Sequence, residues 1–280
     1  MSDVLFGKTE VDAVSAEIVL GNAVQQYLIQ EAKLLPTVSD YSAFAAPGMD
    51  KLKIPTATGF TVDDKSENTA VSAQTITYST DDLALDKHKV IQVLAEQYAS
   101  LQSGVNVVQD IALRAGKALA LQLDVDIIAA LIATSASNPD HRVAYAAGSA
   151  LTEADITNAR LLLNNQYVPL EDRYLLIPTA DEKAALAIAN FIQQDRYAGN
   201  MAIMNGEIGM AYGFKVIVHA SVTYPVAYHK SHVGVAVQQG LRYQTQPDLA
   251  NLATRHSFDQ VYGVKTLDSG KRGVKIGSAS

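Results

Sequence analysis

The 280-residue sequence contains no cysteine, which excludes disulfide bonds, thiolate catalysis and zinc sites with cysteine ligands. It also lacks a long apolar run, because the longest, Ile127 to Ala133, is far too short to cross a bilayer. Charged residues make up 18% of the chain and apolar residues 48%, an ordinary composition for a soluble globular protein. These values predict neither disorder nor contact with a membrane.

The sequence lacks the clusters of basic residues that nucleic-acid binding and a secretory signal require. No basic stripe interleaved with aromatic residues occurs, which disfavours sequence-specific nucleic-acid binding. The first residues include Asp3 and Glu10 but no basic run, so we expect no secretory signal. Residues 1–90 hold seven Lys or Arg against thirteen Asp or Glu, whereas residues 250–280 hold five against two. Two solvated surfaces explain this asymmetry, and complementary contacts between copies are the alternative.

Motifs that carry chemistry are missing as well. His229 and His232 are three residues apart, but their neighbours are strand-like and no third ligand is near, which argues against a metal site. Asp124 and Asp126 are two residues apart on a predicted helix and would point to different sides. The stretch GEIGMAYG lacks the preceding strand and the Lys-Ser/Thr ending of phosphate loops, so its glycines are expected at turns. The sequence predicts no enzyme activity, cofactor or metal.

Two helical patterns occupy the first half of the chain. Residues 10–35 place apolar side chains at helical spacing until Pro36, which predicts an amphipathic arm. Residues 105–133 contain no proline and predict one helix of about 40 Å, at roughly 1.5 Å per residue. Asp126 projects onto its apolar stripe, and a basic partner or backbone amides should satisfy it. The predicted stripe consists of Val108, Ile111, Ala115, Leu119, Leu123, Ile127 and Ala130.

The pattern after residue 150 is compact and mixed. Thr152 with Asp155 forms a capping signature for a helix to about Gln166, and Thr179 with Glu182 is expected to open a second helix. The predicted extended segments are Leu83–Leu94, Arg173–Ile177, Phe214–His219, Val226–His229, Val233–Gln238, Leu241–Thr245 and two in the tail, VYGVKTL and GVKIG.

Residues 51–96 begin with an alternating ribbon whose tip, Asp63 to Thr69, is charged. A lone two-stranded ribbon is only marginally stable in water, so this one needs another surface to lie on. We therefore expect it to grip another copy of the chain. The predicted contact residues are Phe60, Val62, Asp63, Asp64, Lys65 and Glu67.

The order of these parts resembles the major capsid proteins of tailed bacteriophages, with the Hong Kong ninety-seven type fold. Residues 151–186 are similar to that family's helix, its "vP…R" segment, a strand ending in proline and a second helix. The landmarks of that stretch are Val168, Pro169, Arg173 and Pro178. Residues 205–220 are similar to the family's "G-x-I-G…G-F-x-V" segment. Its landmarks are Gly206, Ile208, Gly209, Gly213, Phe214 and Val216.

The resemblance implies an α+β fold with four parts. They are an N-terminal arm (1–50), an extended two-stranded loop (51–82), a peripheral domain with a long spine helix and a β-sheet (83–150, completed by C-terminal strands within 246–280), and a compact axial α+β domain (151–245). Gly206, Gly209, Gly213, Pro169 and Arg173 are expected to serve turns and packing. Subunits of this kind form pentamers and hexamers of an icosahedral head, with the peripheral domains near three-fold axes.

The resemblance also implies partners. The chain has no long N-terminal stretch that could act as a built-in scaffold, so a separate scaffolding protein is expected, together with portal and decoration proteins. Packaged double-stranded DNA would be held non-specifically, because tight phosphate binding requires clustered Lys and Arg. The subunit would reside in the virion, and in the host cytoplasm during assembly. Lys65 is the one candidate donor for a cross-link, but no acceptor is identifiable and no cross-link is predicted.

Two alternatives stand beside the phage capsid. The first is the shell of an encapsulin-like bacterial nanocompartment, which would share the fold and add a pocket for a cargo peptide. The second is a monomeric α+β enzyme or small-molecule binding module built on the region after residue 150. The unsupported ribbon argues against the second alternative, because a monomer has no evident use for that surface.

Overall fold

The computed structural model describes residues 5–6, 33–57, 60, 62, 64–65, 67–68, 73–96, 107–133, 141–143, 151–188 and 210–277. Within those residues the helices are α1 (Val107–Ala133), α2 (Glu153–Asn165) and α3 (Thr179–Ala187). The strands are β1 (Leu5–Phe6), β2 (Ser39–Asp40), β3 (Lys51–Ala57), β4 (Tyr78–Ala84), β5 (Lys87–Glu96), β6 (Arg142–Val143), β7 (Arg173–Pro178), β8 (Met210–Ala211), β9 (Phe214–His219), β10 (Val226–His229), β11 (Val233–Asp248), β12 (Ala253–Thr266) and β13 (Gly273–Ile276).

The strands form three sheets. A five-stranded sheet has the order β1-β5-β12-β11-β2, and a six-stranded sheet has the order β6-β13-β10-β7-β9-β8. Strands β3 and β4 form a separate antiparallel pair. The long antiparallel hairpin of β11 and β12 dominates the first sheet, whereas the second mixes parallel and antiparallel pairs. This mixed α+β architecture agrees with the predicted fold class.

Helix α1 joins the two larger sheets. It has 27 residues, which corresponds to about 40 Å at 1.5 Å per residue. Its first half packs on Phe258 of β12, and its second half contacts both Tyr228 of the six-stranded sheet and Tyr262 of the five-stranded sheet. The predicted stripe is buried from Ile111 to Ile127, and Ala130 is half-buried. The side chain of Val108 lies outside the described residues.

The helix boundaries follow local chemistry. Thr152 caps α2 through the predicted box, because its Oγ1 accepts from the Asp155 amide (3.4 Å) and Asp155 accepts from the Thr152 amide (3.0 Å). Helix α3 begins at Thr179, but the capping position is occupied by Pro178, whose side chain offers no hydrogen bond. The prediction that a second helix opens at Thr179 is confirmed. Pro178 still belongs to extended strand β7, so Thr179 is the first helical residue.

Sheet membership differs from the predicted ranges at several places. The two segments expected within 233–245 are one strand, β11, with an irregular register between Val237 and Arg242. Strand β11 pairs with β12 in the five-stranded sheet, although the predicted axial range contained it, because a hairpin keeps both strands in one sheet. Strand β13 lies in the six-stranded sheet, although the peripheral range contained it. The predicted stretch Leu83–Leu94 is split between β4 and β5.

Candidate assembly surfaces

The extended loop consists of β3, β4 and the residues between them. Its strands pair in register from Lys51–Ala84 to Ala57–Tyr78, as the ribbon pattern predicted. Near its base, Leu83 and Leu85 are buried against Ala236 of β11. Farther out, Phe60 is 69% exposed and Val62 is 96% exposed. The loop therefore has a packed base and an apolar outer part that no other described residue covers.

The base of the extended loop is fixed to β12 by close contacts. Gly263 has no side chain, and a Cβ atom there would lie 2.1 Å from the carbonyl oxygen of Ala84. Lys265 Nζ donates to the carbonyl oxygen of Asp82 at 2.9 Å. The Asp268 amide donates to Asp81 Oδ2, also at 2.9 Å. The loop consequently projects from a defined root.

The structure locates most of the predicted contact and packing residues. Phe60, Val62, Asp64, Lys65 and Glu67 all lie on the exposed part of the extended loop. Asp63, Gly206 and Gly209 lie outside the described residues.

The remaining packing residues lie in or beside turns. Gly213 has a φ of +83° in the turn between β8 and β9, a conformation that favours glycine. Arg173 Nε donates to the carbonyl oxygen of Pro169 at 2.7 Å, so two landmarks of one motif are in direct contact.

A second exposed apolar tip was missed from the sequence. Leu249 and Leu252 lie in the turn between β11 and β12 and are 84% and 69% exposed. Leu252 has a φ of +47°, which is rare for a bulky residue. Asp248 holds the turn by accepting from the Ala250 amide and from Asn251 Nδ2, both at 3.1 Å. The sequence could have indicated this tip, because two leucines flank Ala250 and Asn251. It was missed because the predicted strand ended at Thr245, whereas β11 continues to Asp248.

The two aspartates of α1 point to different sides, as predicted. Asp126 accepts from Tyr262 Oη at 2.7 Å and lies 3.4 Å from the Nζ atoms of Lys87 and Lys89. Burial raises the pKa of Asp126, but the tyrosine hydrogen bond and the two lysine charges outweigh it, and the net pKa is lowered. The predicted basic partner is thus present. This contact fastens α1 to the five-stranded sheet.

Asp124, on the opposite side of α1, contacts the six-stranded sheet and the end of the arm. It accepts from the Lys33 amide at 2.7 Å and lies 3.6 Å from His219 Nε2 of β9. Both side chains are fully buried. Burial raises the pKa of Asp124 and lowers that of His219. The arrangement joins three parts of the fold.

These buried groups form no recognisable reaction centre. No cluster of three or more metal-binding side chains occurs among the described residues. His229 Nδ1 contacts Ser231 Oγ at 2.7 Å, and His232 is buried beside the end of α1. Within the described ranges, no helix combines the length and apolar character needed to cross a membrane. The prominent features are the two apolar tips.

Comparison with known proteins gives the family. A family model described as phage capsid protein matches residues 97–274, well over half of the chain. The chain belongs to the phage capsid protein family. A search of curated proteins found no match.

Solved capsid structures share the fold across nearly the whole chain. A structure from Mycobacterium phage Che8 has a TM-score of 0.74 at 20% identity and covers 91% of this chain and 94% of that one. The cyanophage Pam1 capsid has a TM-score of 0.73 at 13% identity, with coverages of 93% and 96%. The Ralstonia phage GP4 capsid has a TM-score of 0.71 at 12% identity, with coverages of 99% and 97%.

Family and fold together confirm the main prediction. The chain is a structural protein, a major capsid protein of the Hong Kong ninety-seven type that forms the icosahedral shell of the virion. Neither the nanocompartment shell nor the monomeric binding module is favoured. The resemblance in residues 151–186 and 205–220 therefore indicated the correct family, although each motif consists of turn and packing residues.

Proposed function

We propose that this capsid protein assembles as pentamers and hexamers in which the extended loop grips the neighbouring subunit. The exposed apolar outer part of the loop, projecting from a root fixed at Gly263, carries this proposal. Side chains as apolar as Phe60 and Val62 gain free energy when a neighbour removes them from water. Strand-like loops add readily to surfaces of a second chain. The predicted residues Asp63, Asp64, Lys65 and Glu67 would lie at the edge of that contact.

The proposed arrangement assigns a place to each part. The six-stranded sheet forms the axial domain around five-fold and six-fold axes, and the five-stranded sheet with α1 forms the peripheral domain near three-fold axes. Within the predicted arm, residues 1–50, strands β1 and β2 belong to the five-stranded sheet of the same subunit, and Leu34 and Val38 are buried in its core. The exposed turn with Leu249 and Leu252 is a further contact between copies, because both leucines project from the end of a long hairpin. The role is structural, without a catalytic step.

Other partners follow from the same proposal. A scaffolding protein directs assembly in the host cytoplasm, a portal occupies one vertex, and decoration proteins bind outside. Double-stranded DNA fills the shell and is confined rather than bound tightly, since the chain carries a net charge of −7. Strong, salt-sensitive affinity of empty shells for DNA would contradict this part.

The central experiment deletes residues 58–72 and leaves the paired strands of the loop in place. We expect the variant subunit to fold, by circular dichroism, and to form no shells in sedimentation and electron microscopy. A matched control replaces the same residues by a Gly/Ser linker of equal length, which keeps the reach of the loop but not its side chains. Shells from both variants would show that the loop side chains are dispensable.

The hairpin tip is tested separately. Leu249→Ser combined with Leu252→Ser removes the apolar side chains and keeps the Asp248 contacts that shape the turn. We expect fewer or less stable shells than with Ala250→Ser, a control in the same turn. Equal assembly of the two would exclude the tip as a contact.

A further inference from the structure

A third exposed surface lies in the loop that leads into β7, an inner strand of the six-stranded sheet. The loop of residues 166–172 joins α2 to β7, and we name it the Tyr167 loop. Tyr167 follows the end of α2 with a φ of +56° and is 95% exposed. Glycine or asparagine usually takes this left-handed position after a helix, and a bulky residue there is an outlier. Leu170 in the same loop is 62% exposed.

The Tyr167 loop is held from inside by a buried guanidinium. Arg173 is 2% exposed. Its Nη2 donates to the carbonyl oxygen of Val168 at 2.6 Å, and its Nε donates to that of Pro169 at 2.7 Å. Val168 itself is buried in the core between α2 and the sheet. Val168 is therefore fixed by its buried side chain and its carbonyl group, and Pro169 is fixed by its carbonyl group.

The far end of the loop is fixed as well. Asp172 accepts from Lys215 Nζ of β9 at 2.9 Å, and its carbonyl oxygen accepts from the Lys230 amide at 3.0 Å. Lys215 lies directly opposite Met210 of edge strand β8, and opposite residues in an antiparallel pair share a face. Met210 is 60% exposed. We name the exposed side chains of Tyr167 and Leu170 the Tyr167 surface, and Met210 lies beside the Lys215–Asp172 ion pair that ends the same loop.

This arrangement closes the end of α2, because the Val168 amide donates to the carbonyl oxygen of Leu163 at 3.1 Å, but it carries two costs for the isolated subunit. Arg173 Nη1 is buried without a hydrogen-bond partner, and none of the ion pairs found in the described residues involves Arg173. Burial and the nearby charge of Arg160 both lower the pKa of Arg173, which means that the charged form is destabilised. An unpaired buried charge has a free-energy cost, and so does a bulky left-handed residue. The conformation that carries these two costs leaves the aromatic ring of Tyr167 exposed to solvent.

We propose that the Tyr167 surface is a contact with a second copy of this chain, with Tyr167 inserted into the neighbour and Arg173 as its positioning residue. The inference rests on the proposed shell function. A shell subunit is bordered by other copies around its perimeter, and the Tyr167 loop ends at an ion pair with Lys215 of β9, which is next to edge strand β8. Rigid aromatic side chains on a preorganised loop are typical of residues that dominate binding energy.

Truncation of the ring tests the contact. We compare Tyr167→Phe, Tyr167→Ala and Tyr167→Asn with wild type by sedimentation of purified subunits over a range of concentrations. Tyr167→Phe should assemble like wild type, whereas Tyr167→Ala and Tyr167→Asn should need at least tenfold more protein. Thermal unfolding of the Tyr167→Asn subunit should be unchanged or higher, since asparagine tolerates the left-handed conformation. Leu186→Ala, a half-exposed residue on α3, is the control and should assemble normally.

Arg173→Lys tests the positioning role, because a lysine cannot bond both carbonyl oxygens in the same geometry. We expect impaired assembly from Arg173→Lys and no further loss when Tyr167→Ala is added. Additive losses would overturn the positioning role, and wild-type assembly of Tyr167→Ala and Tyr167→Asn would overturn the contact itself. Failure of the wild-type chain to assemble both alone and with co-expressed phage proteins would instead contradict the shell proposal.

Discussion

Tyr262 of β12 donates a hydrogen bond to Asp126 of α1 across 136 positions of sequence, with a distance of 2.7 Å between Oη and Oδ2. Lys87 and Lys89 of β5 lie on the same carboxylate. One side chain of the spine helix is thus shared by two strands of the five-stranded sheet. The contact therefore fixes α1 to two strands of the five-stranded sheet.

Removal of this carboxylate should destabilise the subunit. Asp126→Ala leaves two lysines and a buried phenol without their partner, and such losses cost about 3 kcal/mol. We expect a decrease of that size in the free energy of unfolding, measured by urea denaturation of unassembled subunits. Asp86→Ala, an exposed site beside Lys87, should change stability by no more than about 0.5 kcal/mol. If Asp126→Ala lowered the free energy of unfolding by only about 0.5 kcal/mol, the bridging role of Asp126 would be contradicted.

Acid should destabilise the subunit partly through His232. Burial lowers the pKa of His232 from its ordinary 6.5 to about 3, in a site that also holds His141 and Arg272. The folded pKa lies below the unfolded one, so the stability contribution is complete above about pH 6.5 and is lost as the pH falls toward 3. The loss amounts to about 1.4 kcal/mol per pH unit.

We therefore expect the unfolding free energy of His232→Asn to fall less steeply between pH 6 and pH 5 than that of wild type, by about 1.4 kcal/mol per pH unit. Urea denaturation at the two pH values measures both slopes. Identical slopes would mean that His232 titrates normally in the folded subunit. The comparison with wild type cancels the carboxylates that titrate in the same range.

The root of the extended loop should not tolerate a methyl group. Gly263→Ala places a Cβ atom 2.1 Å from the Ala84 carbonyl oxygen and 2.9 Å from Leu83, so β4 must move. Overpacking of this kind costs about 1–3 kcal/mol. Gly240→Ala, in the same hairpin with no atom within 4 Å, is the matched control and should be neutral. Thermal unfolding reports stability, and equal midpoints would argue against a fixed root.

The cap of α2 offers a paired test within one helix. Thr152→Ala removes the hydroxyl that accepts from the Asp155 amide and should lower the free energy of unfolding by about 1 kcal/mol. Thr157→Ala is exposed on the same helix and should be neutral or slightly stabilising, because alanine has the higher helix propensity. Chemical denaturation of both variants, under identical conditions, gives the difference. A larger loss at Thr157 would contradict the capping role.

Features set by neighbouring residues were predictable. The capping box at Thr152, the strand from Arg173 and the buried stripe of α1 follow from rules that operate within one or two turns of chain. The paired strands at the base of the extended loop likewise follow from alternation. The start of α3 at Thr179 was predicted as well, whereas Pro178 at the capping position was not, because the end of β7 depends on the sheet.

The amino-acid sequence was sufficient to predict the α+β class, the long helix, the paired ribbon and, through motifs of turn and packing residues, the capsid family. Only the folded chain shows which strands share a sheet, that Gly263 touches the root of the loop, and that Asp126 contacts Lys87 and Lys89. Those contacts join residues distant along the chain, and their partners and geometry leave no periodicity that a sequence could display. The surfaces proposed to build the shell are therefore largely properties of the folded chain.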